Sequence, residues 1–216
     1  MLKILAIIGL CGGLLCAIAD LFLDLKGADN KKIGPMSICD SKWAVMPHWR
    51  FLTSTILAMF AVPMYSCGLI ALMNILAKTH QTAAVTVTII GLCGAMGGFM
   101  IHTFLNQMPT IYQTMVKKNQ EELAFEVIEK VFKQIYVPFF TLYTCLVIIP
   151  AIVIMVFIII GWLPLPIWCI LLNPVVFQLI GILLRATKLK IFIDAPSCCA
   201  ASLGLAMYGV LALMLL

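Results

Sequence analysis

Charge is what this 216-residue chain has least of. Asp, Glu, Lys and Arg make up 11% of it, while hydrophobic residues reach 63% and mean hydropathy is +1.12. A soluble domain carries about 25% charged residues. A chain this poor in charge cannot cover a water-facing surface, which excludes a soluble globular protein. Histidine is scarce as well, with three residues. No H-E-x-x-H, G-x-S-x-G or Walker pattern occurs, so the usual marks of zinc peptidases, serine hydrolases and nucleotide-phosphate cradles are missing. There is no internal repeat and no low-complexity tract. The alternating strands of a membrane barrel are absent too, and the apolar runs are too long for them.

Cysteine is not scarce, with nine residues. Most sit inside apolar runs, where a thiol acts as a small hydrophobe. No pair has C-x-x-C spacing. Buried thiols are expected, with no metal and no cofactor. The net charge of +5 comes from lysines gathered in a few loops and gives no reason to expect a nucleic-acid partner.

Six apolar runs are long enough to cross a bilayer: about 3–25, 50–76, 82–106, 137–160, 164–186 and 196–216. The expected fold is all-α, one domain over residues 1–216 forming a bundle of six transmembrane helices. The first run resembles a secretory signal, but apolar residues resume after Asp20 in "LFL", so an uncleaved first span is expected. The segments after spans one, three and five hold Lys26, Lys31, Lys32, Lys42, Arg50, Lys117, Lys118, Lys130, Lys133, Arg185, Lys188 and Lys190. Only Lys3 and Lys78 fall on the other side. This bias predicts a cell-membrane protein with cytoplasmic odd-numbered loops and both termini outside. Trp162 and Trp168 would mark the outer interface, Trp43 and Trp49 the inner one. Within "NQEELAFEVIEKVFKQI", Ala124, Ile128, Val131 and Ile135 share a helical face, so this segment should extend span four beyond the membrane and pack there.

Polar residues inside the spans carry the functional signal. Asp20 and Asp24 lie four apart, on one face of span one. A carboxylate at a span centre costs roughly 2.5–3.5 kcal/mol, less near the interface. The same stripe continues through Cys16, Gly13, Gly12 and Gly9, small residues that suit a protein-facing side. Span three places Gly94, Gly98, His102 and Asn106 four apart, and Gly94-x-x-x-Gly98 permits close approach of another helix. Span two brings His48, Arg50, Ser54 and Tyr65; span five brings Asn173, Gln178 and Arg185. With alternating topology, most of these groups collect in the cytoplasmic half.

Two readings stay open. Asp20 and Asp24 pair with Arg50 or a nearby lysine and lock the helices, or the cluster lines a pocket that handles a proton or a polar head group. Pro63, Pro150 and Asn173-Pro174 interrupt spans two, four and five, as broken helices around a cavity do.

The stretches "IADLFLDL", "MPHWRF" and "PMYSCG", with His102-x-x-x-Asn106, resemble a family of six-span bacterial membrane proteins of unknown function. The resemblance implies no substrate. It marks Asp20, Asp24, His48, Trp49, Arg50, Tyr65, His102 and Asn106 as the positions to watch.

The leading expectation is a non-enzymatic membrane protein that binds or moves a small amphiphile or lipid, with membrane lipids as its partners. The alternatives are an intramembrane lipid-modifying enzyme using Asp/His acid–base chemistry and a structural partner subunit. The candidate binding residues are Asp20, Asp24, His48, Arg50, Ser54, Tyr65, His102, Asn106, Asn173, Gln178 and Arg185.

Overall fold

The computed structural model describes residues 1–189, 192–193 and 195–216; Lys190, counted above among the basic-loop residues, lies outside them. The chain forms helices α1 (Leu2–Asp24), α2 (His48–Leu76), α3 (Gln81–Val116), α4 (Glu121–Tyr143), α5 (Ile149–Ile159), α6 (Pro174–Ala186) and α7 (Ala195–Met214). A π-helical segment, Thr144–Ile148, joins α4 to α5, so Glu121–Ile159 is one rod of 39 residues. The extension of span four is therefore present, and its inner face is buried at Ala124 and Ile128. The π turn sits just before Pro150. Proline lacks an N–H and its ring crowds the carbonyl four residues back; a wider turn relieves that crowding.

Among the described residues five helical stretches are long and apolar enough to cross a membrane: Leu2–Asp24, His48–Leu76, Gln81–Val116, Glu121–Ile159 and Ser197–Met214. The expected continuous span at 164–186 is broken instead. A 3₁₀ turn covers Ile167–Leu171, Asn173 is extended (φ −153°, ψ 162°), and α6 has 13 residues, about 20 Å of helix. Pro164, Pro166 and Pro174 deny the backbone the donors that an unbroken helix needs. α3 also runs ten residues past its expected end, to Val116.

Close contacts fix the packing directions. Gly12 meets Tyr65 and Gly9 meets Gly68 across α1 and α2; Gly13 meets Ala206 across α1 and α7. In each pair the numbers run oppositely, so α2 and α7 lie antiparallel to α1. Gly94 and Gly97 of α3 meet Leu146 and Leu142 of the α4–α5 rod; the close approach expected of Gly94-x-x-x-Gly98 is made through Gly94 and Gly97, while Gly98 faces the Tyr65 hydroxyl beside the cavity. α6 lies along α7, with Pro174 against Gly204 and Gln178 near Ser197.

Alternation gathers the 25–47 connection and the turns after α3 and α6 at one end, here the basic end. There a small hairpin pairs Lys32 with Asp40 and Ile33 with Cys39, the one strand pair among the described residues. It packs with Trp43, Met46, Phe51, Met108, Tyr112, Ala124 and Ile128 in an apolar cluster separate from the main core. Gln113 clamps this cap by donating to the carbonyls of Trp43 (2.7 Å) and Met46 (2.6 Å). At the other end Trp162 stacks between His80 and Phe157.

Candidate ligand cavity at the basic end

Toward the basic end the helices separate around a cavity of about 270 Å³. Its walls are apolar for the most part, from Val62, Leu105, Phe139, Leu146 and Leu205 among others. The π segment contributes Leu146 and Val147. Asp20, Asp24, Tyr65, His102, Tyr143, Gln178 and Ser202 bring polar atoms to it. A pocket of this size is slightly smaller than the roughly 300–1,000 Å³ of drug-sized ligand sites.

The floor is a hydrogen-bonded network from four helices. Ser202 Oγ of α7 donates to Asp20 Oδ2 at 2.6 Å. Asp20 Oδ1 lies 3.6 Å from His102 Nδ1. On the far side of the ring, His102 Nε2 is 2.7 Å from Ser54 Oγ. Ser54 donates its one hydroxyl proton to the carbonyl of Ala19 at 2.8 Å and accepts from Asn106 Nδ2 at 3.3 Å. Asn106 also donates to the His102 carbonyl at 2.9 Å. With the Ser54 proton committed, Nε2 must be the donor of its contact, by proton counting. Nδ1 is then the ring atom that faces the Asp20 carboxyl. A bare lone pair and a bare carboxylate oxygen would repel at that separation; the atoms are beyond hydrogen-bond distance, and a proton on either Asp20 or Nδ1 removes the repulsion. The arrangement is an acid–base pair, with Ser54 and Asn106 as its rear support.

A second cavity of about 370 Å³ adjoins the first at the basic end, and Asp24, Gln178, Ser197 and Cys198 line both. This vestibule is bounded by Lys26, Lys32, Asp40 and Arg185. Asp40, only 1% exposed, accepts from Lys26 (2.8 Å), Lys32 (3.1 Å) and Asn30 (2.7 Å). Burial raises the Asp40 pKa, but Lys26, Asn30 and Lys32 outweigh it and hold the carboxyl below its ordinary range. Burial likewise lowers the Lys26 pKa, and Asp24 and Asp40 reverse this and hold it above its ordinary value. The Cys39 thiol, beneath the same cap, is pushed up to about 12 by burial and then by Glu129 and Asp40, so it is no nucleophile.

The expected residues therefore divide. Asp20, Asp24, Tyr65, His102 and Gln178 face the cavity, and Arg185 faces the vestibule. Ser54 and Asn106 are buried behind His102. Three others do different work. Arg50 does not pair with Asp20 or Asp24: it donates to the carbonyls of Leu21 (3.3 Å), Phe22 (3.0 Å) and Leu25 (2.8 Å), closing the C-terminus of α1 as a basic side chain can. Asp24 pairs with Lys26 instead, at 2.5 Å. Asn173 is the N-cap of α6, accepting from the backbone of Val175 (3.0 Å) and Val176 (3.1 Å). His48 is exposed and meets Phe51 edge-on. Of the cysteines expected to be buried, Cys11 and Cys93 are exposed on helix faces. Among the described residues no three His, Cys, Asp or Glu side chains converge as a metal site would require.

Sequence reasoning missed Ser202 and Asp40, and it reached Lys26 only as a nearby lysine for Asp24 to pair with. Ser202 carries a readable signal, a hydroxyl in the small-residue run "CCAASLG", which marks a close helix contact. Lys26 and Asp40 lie in a loop whose path no periodicity describes.

Fold and site define a helical protein with several segments suited to crossing a membrane, enclosing an apolar cavity over an acid–base floor. The chain belongs to the family of unknown function DUF6796, whose model matches residues 1–216. No curated protein and no solved structure matches it.

Proposed function

We propose that this chain is a non-enzymatic multi-pass protein of the cell membrane that binds or moves a small amphiphile through the cavity at its basic end. The lysine and arginine bias places that end in the cytoplasm and both termini outside. The 167–173 segment and α6 together make the fifth crossing of a single six-span domain, a broken helix of the kind tolerated beside a cavity. The reading is carried by one observation: an apolar chamber with the Asp20–His102–Ser202 floor opens onto a charged vestibule through shared residues. An apolar tail fits the chamber, a polar group fits the vestibule, and the proton on Asp20 or His102 offers a way to couple occupancy to protonation.

Native mass spectrometry of the detergent-purified protein tests this. A co-purifying amphiphile is expected on the wild type and absent from Ala201→Trp, whose side chain would occupy the chamber that Ala201 lines. Equal retention by both would refute the cavity reading. If the protein moves its ligand, Asp20→Asn abolishes accumulation in vesicles while binding survives.

One observation favours an enzyme. Ser54, His102 and Asp20 are linked in the order of a catalytic triad. Ser54, however, is 0% exposed and bonded to the Ala19 carbonyl, so in this second reading Asp20 and His102 alone act, as acid and base on a bound lipid. A new product on incubation with inner-membrane lipid extract, lost in His102→Gln, would support it.

A further inference from the structure

The vestibule has a charge arrangement that the cavity reading does not use. Its two carboxylates are matched by lysines: Asp40 by Lys26 and Lys32, Asp24 by Lys26. Arg185 is left over. It stands near the end of α6, exposed, in the lining of the same vestibule, and it makes no ion pair among the described residues. Among the described residues the vestibule lining thus carries a net charge of +1 and a planar guanidinium fork with its donors uncommitted to any carboxylate. Gln178 and Ser197, beside Arg185, line the passage into the apolar chamber.

Resting on the cavity reading above, we infer that the ligand bears a phosphate: its apolar part lies in the chamber and its phosphoryl oxygens bind Arg185, with Lys32 as the second cation. The geometry supports this choice over an uncharged head group. A guanidinium presents paired N–H donors that match phosphate oxygens. Lys32, whose side chain is half exposed, can swing an ammonium to the same anion while Lys26 keeps Asp40 paired. A cation at the mouth, with carboxyls and mostly apolar walls inside, places the anion at the mouth and the tail within. The same chemistry could come from a membrane phospholipid or from soluble phosphate.

Ligand-induced thermal stabilisation of the full chain in neutral detergent separates these cases. Three probes are titrated: a short-chain phosphatidic acid, a monoacylglycerol of the same chain length, and inorganic phosphate. The phosphatidic acid is expected to act at about tenfold lower concentration than the monoacylglycerol, the order that a charge-assisted hydrogen bond supplies. Inorganic phosphate alone is expected to have no effect. Arg185→Gln should erase the tenfold preference, and Arg185→Lys, which keeps the charge but not the fork, should retain only part of it. Each variant is compared with its own ligand-free melting temperature. Equal potency of the two amphiphiles on the wild type overturns the phosphate inference and leaves the cavity reading standing. No response to either amphiphile overturns both. Stabilisation by inorganic phosphate at the concentration effective for phosphatidic acid overturns the lipid source and keeps the phosphate site.

Discussion

The two halves of α1 meet opposite surroundings. Through Gly9, Gly12 and Gly13 the helix touches backbone: a methyl placed on Gly12 would lie 2.3 Å from the Tyr65 nitrogen, and one on Gly13 2.5 Å from the Ala206 nitrogen. Two turns further on, Asp20 and Asp24 face open volume. The glycines draw α2 and α7 in at one end. At the other end Ser54, Arg50 and Ser202 carry the contact to α1 through side-chain hydrogen bonds instead of backbone packing, and the cavity lies beside them. A small-residue seam thus acts as the fulcrum that lets a cavity exist beside it.

The largest test of this contrast is Gly12→Leu. Its side chain has nowhere to go in the closed half, and loss of the monodisperse, folded protein is expected by size-exclusion chromatography; even Gly12→Ala should cost about 3 kcal/mol, the upper range for overpacking. Gly98→Ala, in the open half, is the matched control. Its added methyl would meet only the Tyr65 hydroxyl at 2.7 Å and a Leu146 methyl at 3.3 Å, both able to shift toward the cavity, so under ~1 kcal/mol is expected. Similar melting temperatures for the two alanine variants would erase the distinction between the halves.

Next in size is Asp40→Ala, which leaves Lys26 facing Asp24 alone and the cap without its central acceptor. Removing one partner from a buried ion pair costs ~3 kcal/mol. The pH dependence follows from the same group. Its folded-state pKa lies below its unfolded value, so its stabilisation is fully present above the ordinary carboxylate pKa of about 3.9 and is lost as pH falls through the lowered folded value. Thermal melts between pH 7 and pH 3 should show wild type losing stability on acidification more steeply than Asp40→Asn.

Arg50→Ala should cost about 1–2 kcal/mol, because three carbonyls at the end of α1 lose their donor. The smallest stability effect belongs to Asp20→Asn. The amide still accepts from Ser202, and a change within ~1 kcal/mol is expected while ligand movement fails. A large drop in melting temperature for Asp20→Asn would instead make the acid–base floor a structural lock and place both halves of α1 under one role.

Much of this contrast can be read from residue types. Asp20 and Asp24 at a four-residue interval, the glycine stripe behind them and Gly94-x-x-x-Gly98 all mark protein-facing helix surfaces, because periodicity determines which side chains share a face. His102 and Asn106 follow by the same rule, and they do share one network with Ser54. Arg50 misleads because its charge suggests a carboxylate partner, whereas the unsatisfied carbonyls of a helix end compete for the same donors. Asn173 misleads in the same way: next to Pro174 its side chain caps a helix start. Both are end effects, invisible until the helix boundaries are known.

Composition, the spacing of apolar runs and the distribution of lysine and arginine by themselves determined a helical chain with several membrane-length segments and a basic end, since these depend on local transfer energies and periodicity. Only the tertiary structure decided that Ser202 reaches Asp20 across 182 positions, that Lys26 and Asp40 meet beneath the cap, and that a cavity lies beside the carboxyls. Such contacts depend on how far apart two backbones stand, and that distance is set by side chains from other segments.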